Sequence, residues 1–165
     1  MGKSVLATQI AECLARDKRI PPFDDRQTPA LEPKKVLYID FELDRAQFRQ
    51  RYAVIGEDGV TLEDKYEMSP NFLRGEDYWD GNMIEGYYSF TDMLLQDFDN
   101  RIADHDVQIL IIDNLSFLTP GTIANATVAF KLMHQLQKLK KSREISILIV
   151  AHTPKSLRHG PLTEQ

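Results

Sequence analysis

Cysteine, long apolar runs and a secretion signal are scarce or absent in this chain. The single cysteine, Cys13, excludes an internal disulfide and fits a protein of a reducing compartment. No run of apolar residues approaches the about 18 that a membrane-spanning helix needs, and no signal peptide precedes Gly2. We therefore expect a cytoplasmic protein.

The chain also lacks an excess of positive charge. Its 20 Lys and Arg residues stand against 25 Asp and Glu residues, which gives a formal net charge of -5. No overall basic surface therefore indicates a nucleic-acid-binding protein, although a local basic loop or the channel of an oligomer could still bind one. Zinc-ligand spacing, internal repeats and low-complexity segments are absent as well.

What is present is the alternation of strands and helices expected of one α/β domain, and 165 residues suffice for one core. Apolar runs predict strands at 36–42, 107–114 and 145–151, with a weaker candidate at 71–73. Apolar spacing predicts helices at 4–16, 45–55, 90–102 and 125–142, the third after a capping box at Ser89 and Asp92. We expect a three-layer α/β/α sandwich with a mainly parallel sheet over residues 1–165. Residues 56–88 are the least legible stretch.

The first residues, Gly2-Lys3-Ser4, match the end of a phosphate-binding loop, G-x-x-x-x-G-K-[ST], and precede a predicted helix. In such a loop the lysine reaches the β- and γ-phosphates and the hydroxyl holds Mg²⁺. The helix would also point its positive amino end at the phosphates. The alternative is an ordinary mobile amino terminus.

Carboxylates follow two of the predicted strands. Asp113 closes the run 109–112, where an aspartate can orient the water shell of Mg²⁺; alternatively it begins a turn. Glu42 ends the first strand and could accept a proton from the water that attacks the γ-phosphate, or could be a solvated residue. Asp40 competes with Glu42 for this role, since the alternation leaves open which carboxylate faces the nucleotide.

His152 follows the third strand, where a donor could sense the γ-phosphate, although a lone histidine is as often structural. Lys155, Arg158 and His159 lie in the same polar tail. They could contact nucleic acid or a neighbouring subunit, or form a solvated basic loop.

Together, GKS, VLYIDFEL, ILIIDNLSFL and ILIVAHTPK resemble the RecA/DnaB superfamily of P-loop ATPases over nearly the whole chain. The sequence is most similar to RepA-type members, the hexameric plasmid replicative helicases and their AAA-domain relatives. The resemblance implies a RecA-like ATPase that uses ATP and Mg²⁺, forms a homo-oligomeric ring and binds single-stranded DNA in replication, repair or recombination.

The resemblance also implies roles for individual residues. Lys3 and Ser4 match the phosphate-binding loop, with Gly2 before them, and Asp113 matches the Walker-B aspartate. Glu42 matches the glutamate that polarises water, and His152 the polar residue after the sensor strand. Alternatives from the same superfamily are a scaffold or regulatory domain that no longer hydrolyses ATP, and a signalling ATPase without nucleic acid.

The superfamily has a strand before this loop and at least one strand after the position of Gln165, and the sequence contains neither. One hypothesis is that the natural product starts upstream of Met1. Without its usual neighbour, the strand at 145–151 becomes an apolar sheet edge that can pair with another chain. We therefore predict weak ATP binding and self-association for this chain, which micromolar ATP binding by a monodisperse monomer would contradict.

Overall fold

The computed structural model describes residues 2–16, 32–55, 62–64, 68–75, 89–115 and 126–151. Helices and strands alternate over most of these ranges, which confirms the α/β class. In chain order the elements are α1 (Lys3–Arg16), β1 (Val36–Asp40), α2 (Arg45–Tyr52), β2 (Ala53–Ile55), β3 (Leu62–Asp64), β4 (Phe72–Gly75), α3 (Phe90–His105), β5 (Ile109–Asp113), α4 (Ala126–Arg143) and β6 (Ser146–Val150).

Four of the strands form one parallel sheet in the order β4-β1-β5-β6. The register sets Asp40 of β1 opposite Asp113 of β5, and Asp113 opposite Val150 of β6. Because the strands are parallel, their carboxyl ends lie along one edge, which we call the carboxyl edge. Crevices at such an edge are the usual ligand sites of α/β sheets.

Helices cover both faces of this sheet, as the three-layer prediction requires. Side chains alternate along β1, so that Leu37 and Ile39 belong to the core beneath α3 and α4 while Val36 and Tyr38 belong to the core beneath α1. The strands in the middle of the sheet are therefore buried on both faces, which explains why their sequences are continuous apolar runs.

The strand β6 lies at one end of the sheet order in the described part of the chain. Its side chains alternate between exposed and partly buried up to the buried Val150, and Leu148 is 37% exposed. This agrees with the apolar edge strand expected from the sequence. Self-association through this edge stays a prediction.

Several element boundaries differ from the sequence prediction. The strand β1 ends at Asp40 rather than Glu42, because the Asp40 side chain accepts hydrogen bonds from the next backbone N–H groups and turns the chain. The helix α2 ends at Tyr52 rather than Ile55, since residues 53–55 pair with 62–64 in the antiparallel hairpin β2–β3. That hairpin was not predicted. The weak candidate at 71–73 is β4.

The helix α1 lies where the sequence predicts it, but the face that it buries consists mainly of small residues and not of the large apolar residues that indicate the helix. Val5 and Leu6 are 38% and 48% exposed, whereas the buried positions are Ala7, Thr8, Ala11, Glu12 and Ala15. Small residues let this helix lie close to the sheet. No helix in the described ranges is long and apolar enough to cross a lipid bilayer.

Candidate functional site

The amino end of α1 lies at the carboxyl edge of the sheet. The Lys3 ammonium group donates a hydrogen bond to the Ala151 carbonyl oxygen, 2.6 Å away, just beyond the end of β6. Gly2 has a φ of 119°, a value that side chains with a Cβ rarely adopt, and its carbonyl accepts the first helical hydrogen bond from Leu6. The helix therefore presents its positive end and an ammonium group at this edge.

Ser4 lies in the first turn of the same helix and is half-buried. Its backbone carbonyl accepts a hydrogen bond of 3.0 Å from the Thr8 hydroxyl. Ser4 therefore lies at the amino end of α1, and its role in holding Mg²⁺ stays a prediction. Met1 lies outside the described residues.

Asp113, at the end of β5, is a buried carboxylate with one oxygen engaged and one open. Its side chain is 1% exposed, and Oδ2 accepts a hydrogen bond of 2.7 Å from the Tyr38 hydroxyl. Oδ1 is buried without a hydrogen-bond partner among the described residues. A buried carboxylate oxygen without a partner is costly unless a ligand completes it. This oxygen therefore fits a metal ion or a metal-bound water.

The arrangement suits Mg²⁺ better than a metal held entirely by protein. In the described part of the chain no three His, Cys, Asp or Glu side chains cluster as metal ligands. Mg²⁺ is ordinarily bound by one or two protein oxygens together with phosphates and waters. Asp113 and Ser4 supply donors of that kind.

Asp40, the register partner of Asp113, is satisfied by the turn that follows it. Its Oδ1 accepts the backbone N–H groups of Glu42 and Leu43, both at 2.9 Å, and its Oδ2 is 3.4 Å from the Arg74 guanidinium. Burial raises the pKa of the Asp40 carboxyl, while the two N–H groups and Arg74 oppose that rise. Asp40, the alternative to Glu42 as the base, therefore stabilises the turn after β1.

Glu42 extends from this turn toward the end of β5. It is exposed, and its Oε1 accepts a hydrogen bond of 2.5 Å from the Asn114 side-chain amide. Asn114 follows Asp113 directly, so this contact links the turn after β1 to the end of β5. The carboxyl edge thus carries Glu42 beyond β1, Asp113 at the end of β5 and, beside the end of β6, the ammonium group of Lys3 from α1.

Three residues of this edge were missed by sequence reasoning. Asn114 is buried and anchors Glu42, and its position directly after a predicted Walker-B residue was the available signal. Arg74 donates to the carbonyl groups of Leu43 and Asp44 and lies 4.2 Å from the Phe48 ring centroid, which fixes the turn that carries Glu42. Nothing local in the sequence marks it.

The third missed residue is Tyr38, whose side chain is 1% exposed in the middle of β1. Burial raises the pKa of the Tyr38 hydroxyl far above its ordinary value, contact with Thr8 lowers it and the hydrogen bond to Asp113 raises it further. The hydroxyl is therefore a permanent hydrogen-bond donor. A tyrosine in an apolar strand is predicted to be a core residue, so the sequence does not indicate its hydrogen bond to Asp113.

His152 lies outside the described residues, as do Lys155, Arg158 and His159. Its neighbour Ala151 is the last described residue and accepts the Lys3 hydrogen bond. The carbonyl of Ala151 marks the point at which the chain leaves β6 beside the amino end of α1.

No curated protein matches the chain. A family model, described as an AAA domain, matches residues 1–157 and therefore nearly the whole chain. The parallel four-stranded sheet between helices is consistent with the RecA-like P-loop α/β fold. This chain belongs to that AAA domain family, and it is an ATPase-type nucleotide-binding domain.

Proposed function

We propose that residues 1–165 form a RecA-like domain that binds and hydrolyses ATP in a DNA replication, repair or recombination protein of the RepA/DnaB type. The observation that carries the proposal is the meeting of Lys3, Asp113 and Glu42 at one edge of the sheet. A cation, a buried carboxylate with an open oxygen and an exposed carboxylate are the groups that phosphoryl transfer to water requires.

Each group has a separate task in this proposal. Lys3 and the amino end of α1 neutralise charge on the β- and γ-phosphates, with Gly2 allowing the chain to approach them closely. Asp113 and Ser4 would hold Mg²⁺, which supplies positive charge to the phosphate oxygens when it is bound. His152, beyond β6, would sense the γ-phosphate.

Glu42 accepts the proton of the water that attacks the γ-phosphate. Its exposure gives water access, and the Asn114 amide holds its carboxylate in place beside Asp113. The engagement of Asp40 by the turn and by Arg74 favours Glu42 over Asp40 as the base.

Single-stranded DNA as partner and a hexameric ring as assembly are the finer parts of the proposal. They are supported by the resemblance of the four sequence motifs to RepA-type helicases. A scaffold that no longer hydrolyses ATP, and a signalling ATPase indifferent to DNA, are the competing outcomes of the test.

The test is ATP hydrolysis by the full-length gene product, measured with and without single-stranded DNA. The Glu42→Gln variant should retain nucleotide binding and lose at least about 100-fold in turnover, since general-base catalysis contributes about 10²–10⁴-fold. The matched control is Glu144→Gln, which changes an exposed glutamate just after α4 and should leave turnover unchanged.

The results of this assay distinguish the three proposed functions. Hydrolysis that DNA accelerates supports the replication or repair ATPase, whereas hydrolysis that is indifferent to DNA supports the signalling class. Nucleotide binding without hydrolysis supports the scaffold. Turnover by Glu42→Gln at the wild-type rate would assign the base elsewhere.

A further inference from the structure

The two carboxylate oxygens of Asp113 have different surroundings, because a hydrogen-bond partner holds only one of them. The Tyr38 hydroxyl donates to Asp113 Oδ2 at 2.7 Å, and both side chains are 1% exposed. Asp113 Oδ1 has no hydrogen-bond partner in the described part of the chain. The tyrosine therefore makes the two oxygens of this carboxylate unequal.

The Tyr38 side chain is itself held firmly. Its ring stacks on Phe72 of the neighbouring strand, with ring centroids 5.7 Å apart and planes inclined by 24°. Its ring belongs to the core beneath α1. Because the ring is packed on strand and helix, the position of the hydroxyl follows from the fold.

The same hydroxyl lies near the helix that carries the phosphate-loop residues, since the Thr8 hydroxyl on α1 lowers the pKa of Tyr38. Thr8 itself donates to the Ser4 carbonyl at 3.0 Å and accepts from the Tyr52 hydroxyl at 3.0 Å. The proton of Thr8 is therefore used within α1, and the proton of Tyr38 serves Asp113.

We propose that Tyr38 is a positioning residue for metal binding, which holds Asp113 by Oδ2 and keeps Oδ1 available. The inference rests on the proposed function. A carboxylate group rotates readily about its terminal bond, since that torsion is broad. Outer partners that fix a metal ligand typically contribute about 10–100-fold to metal affinity.

The test is the Tyr38→Phe variant of the full-length protein, which keeps the stacked ring and removes the hydroxyl. Mn²⁺ binding in the presence of ADP is followed by electron paramagnetic resonance, together with the Mg²⁺ dependence of ATP hydrolysis. We expect Mn²⁺ to bind about 10–100-fold more weakly, with a matching shift in the Mg²⁺ midpoint and little change in the maximal rate at saturating Mg²⁺.

Tyr52→Phe is the matched control, because it removes another tyrosine hydroxyl that contacts Thr8, at 3.0 Å, without contacting Asp113. It should keep the wild-type Mn²⁺ affinity. Phe72→Leu is a second variant that decides the matter if Tyr38→Phe does not fold, because it keeps the hydroxyl and removes the stacked ring that holds Tyr38 in place. It should weaken Mn²⁺ binding.

The failure of this inference differs from the failure of the proposed function. Wild-type Mn²⁺ affinity in Tyr38→Phe, in a protein whose wild type binds Mn²⁺ and ADP, overturns the role of Tyr38 and leaves the ATPase proposal standing. For a Tyr38→Phe variant that does not fold, wild-type Mn²⁺ affinity in Phe72→Leu does the same. No Mn²⁺–nucleotide binding by the wild type overturns both.

Discussion

The strands β1 and β5 end on aspartates that occupy the same register position, yet the two carboxylates are used in opposite ways. Asp40 is saturated by two backbone N–H groups and by Arg74, so that it organises the turn after β1. The Asp113 carboxylate receives one hydrogen bond, from Tyr38, and keeps one buried oxygen without a partner in the described ranges.

The difference shows that position on a sheet edge does not determine the role of a carboxylate. Both residues follow apolar runs, and the sequence alone left Asp40 as a rival of Glu42. The decisive factor is the number of hydrogen-bond donors that the tertiary structure brings to each oxygen. A carboxylate that already accepts several hydrogen bonds has few lone pairs left for a ligand, whereas a buried oxygen without a donor is stabilised by binding one.

Removal of the cation beside Asp40 should have the largest effect on stability. In Arg74→Met, Asp40 remains as a buried carboxylate without its cationic partner, and breaking a buried pair from one side costs about 3–5 kcal/mol. The free energy of unfolding from urea denaturation measures the loss. Arg101→Met is the control, since its pair with Asp97 is about two-fifths exposed and such pairs contribute about 0.5 kcal/mol. Equal losses in the two variants would contradict the distinction.

Exchange of each aspartate for asparagine tests the comparison directly. Asp113→Asn should weaken Mg²⁺-dependent nucleotide binding by about 100-fold, equivalent to about 2.7 kcal/mol, because it removes the charge of the open oxygen. Asp40→Asn should reduce the free energy of unfolding and leave the Mg²⁺ midpoint near that of the wild type. Mg²⁺ titrations of nucleotide binding, made at a temperature where both variants are folded, measure this. A weaker midpoint in Asp40→Asn than in Asp113→Asn would reverse the assignment.

A third aspartate, Asp92 in the first turn of α3, gives the smallest effect. Ser89 caps α3 by accepting the Asp92 N–H and donating to the Asp92 carboxylate at 2.7 Å. The Ser89 hydroxyl lowers the pKa of Asp92, the opposite of the rise at buried Asp40. Ser89→Ala should cost about 1 kcal/mol of unfolding free energy at neutral pH.

The pH dependence of that loss follows from its sign. A lowered pKa stabilises the folded state above the ordinary value of an aspartate, about 3.9, and this contribution disappears as the pH falls through the folded-state pKa. The difference between wild type and Ser89→Ala should therefore shrink in acid, as measured by urea denaturation at several pH values. Ser89→Thr keeps the hydroxyl and should restore most of the loss, and a difference that grows in acid would contradict this account.

Most helices and strands of the fold could be predicted from the sequence, because the spacing of apolar residues reflects which side chains are buried. The continuous run of β5 and the stripe of Leu132, Leu136 and Leu139 on α4 are examples. The hairpin β2–β3 could not be predicted, since residues 53–55 directly continue the helical pattern of α2 and their strand partner lies within 56–88, where the sequence pattern is weakest. The order of strands in the sheet likewise depends on long-range pairing.

The sequence identifies candidate site residues where they lie in a motif or at the end of a predicted strand, as with Lys3, Glu42 and Asp113. Their catalytic and metal-binding roles stay predictions. Asn114, Arg74 and Tyr38 were not readable, because each is defined by a partner 31 to 75 positions away along the chain. Such contacts leave no local pattern.

The hydrogen bond from Lys3 to Ala151 joins positions 148 residues apart. Contacts between such distant positions pay a high loop-closure entropy and form late in folding. A chain still emerging from the ribosome can form α1 and even β1 without any acceptor for this lysine. Formation of this contact at the carboxyl edge is therefore coupled to the addition of β6, so that synthesis must pass Ala151 before Lys3 gains this acceptor.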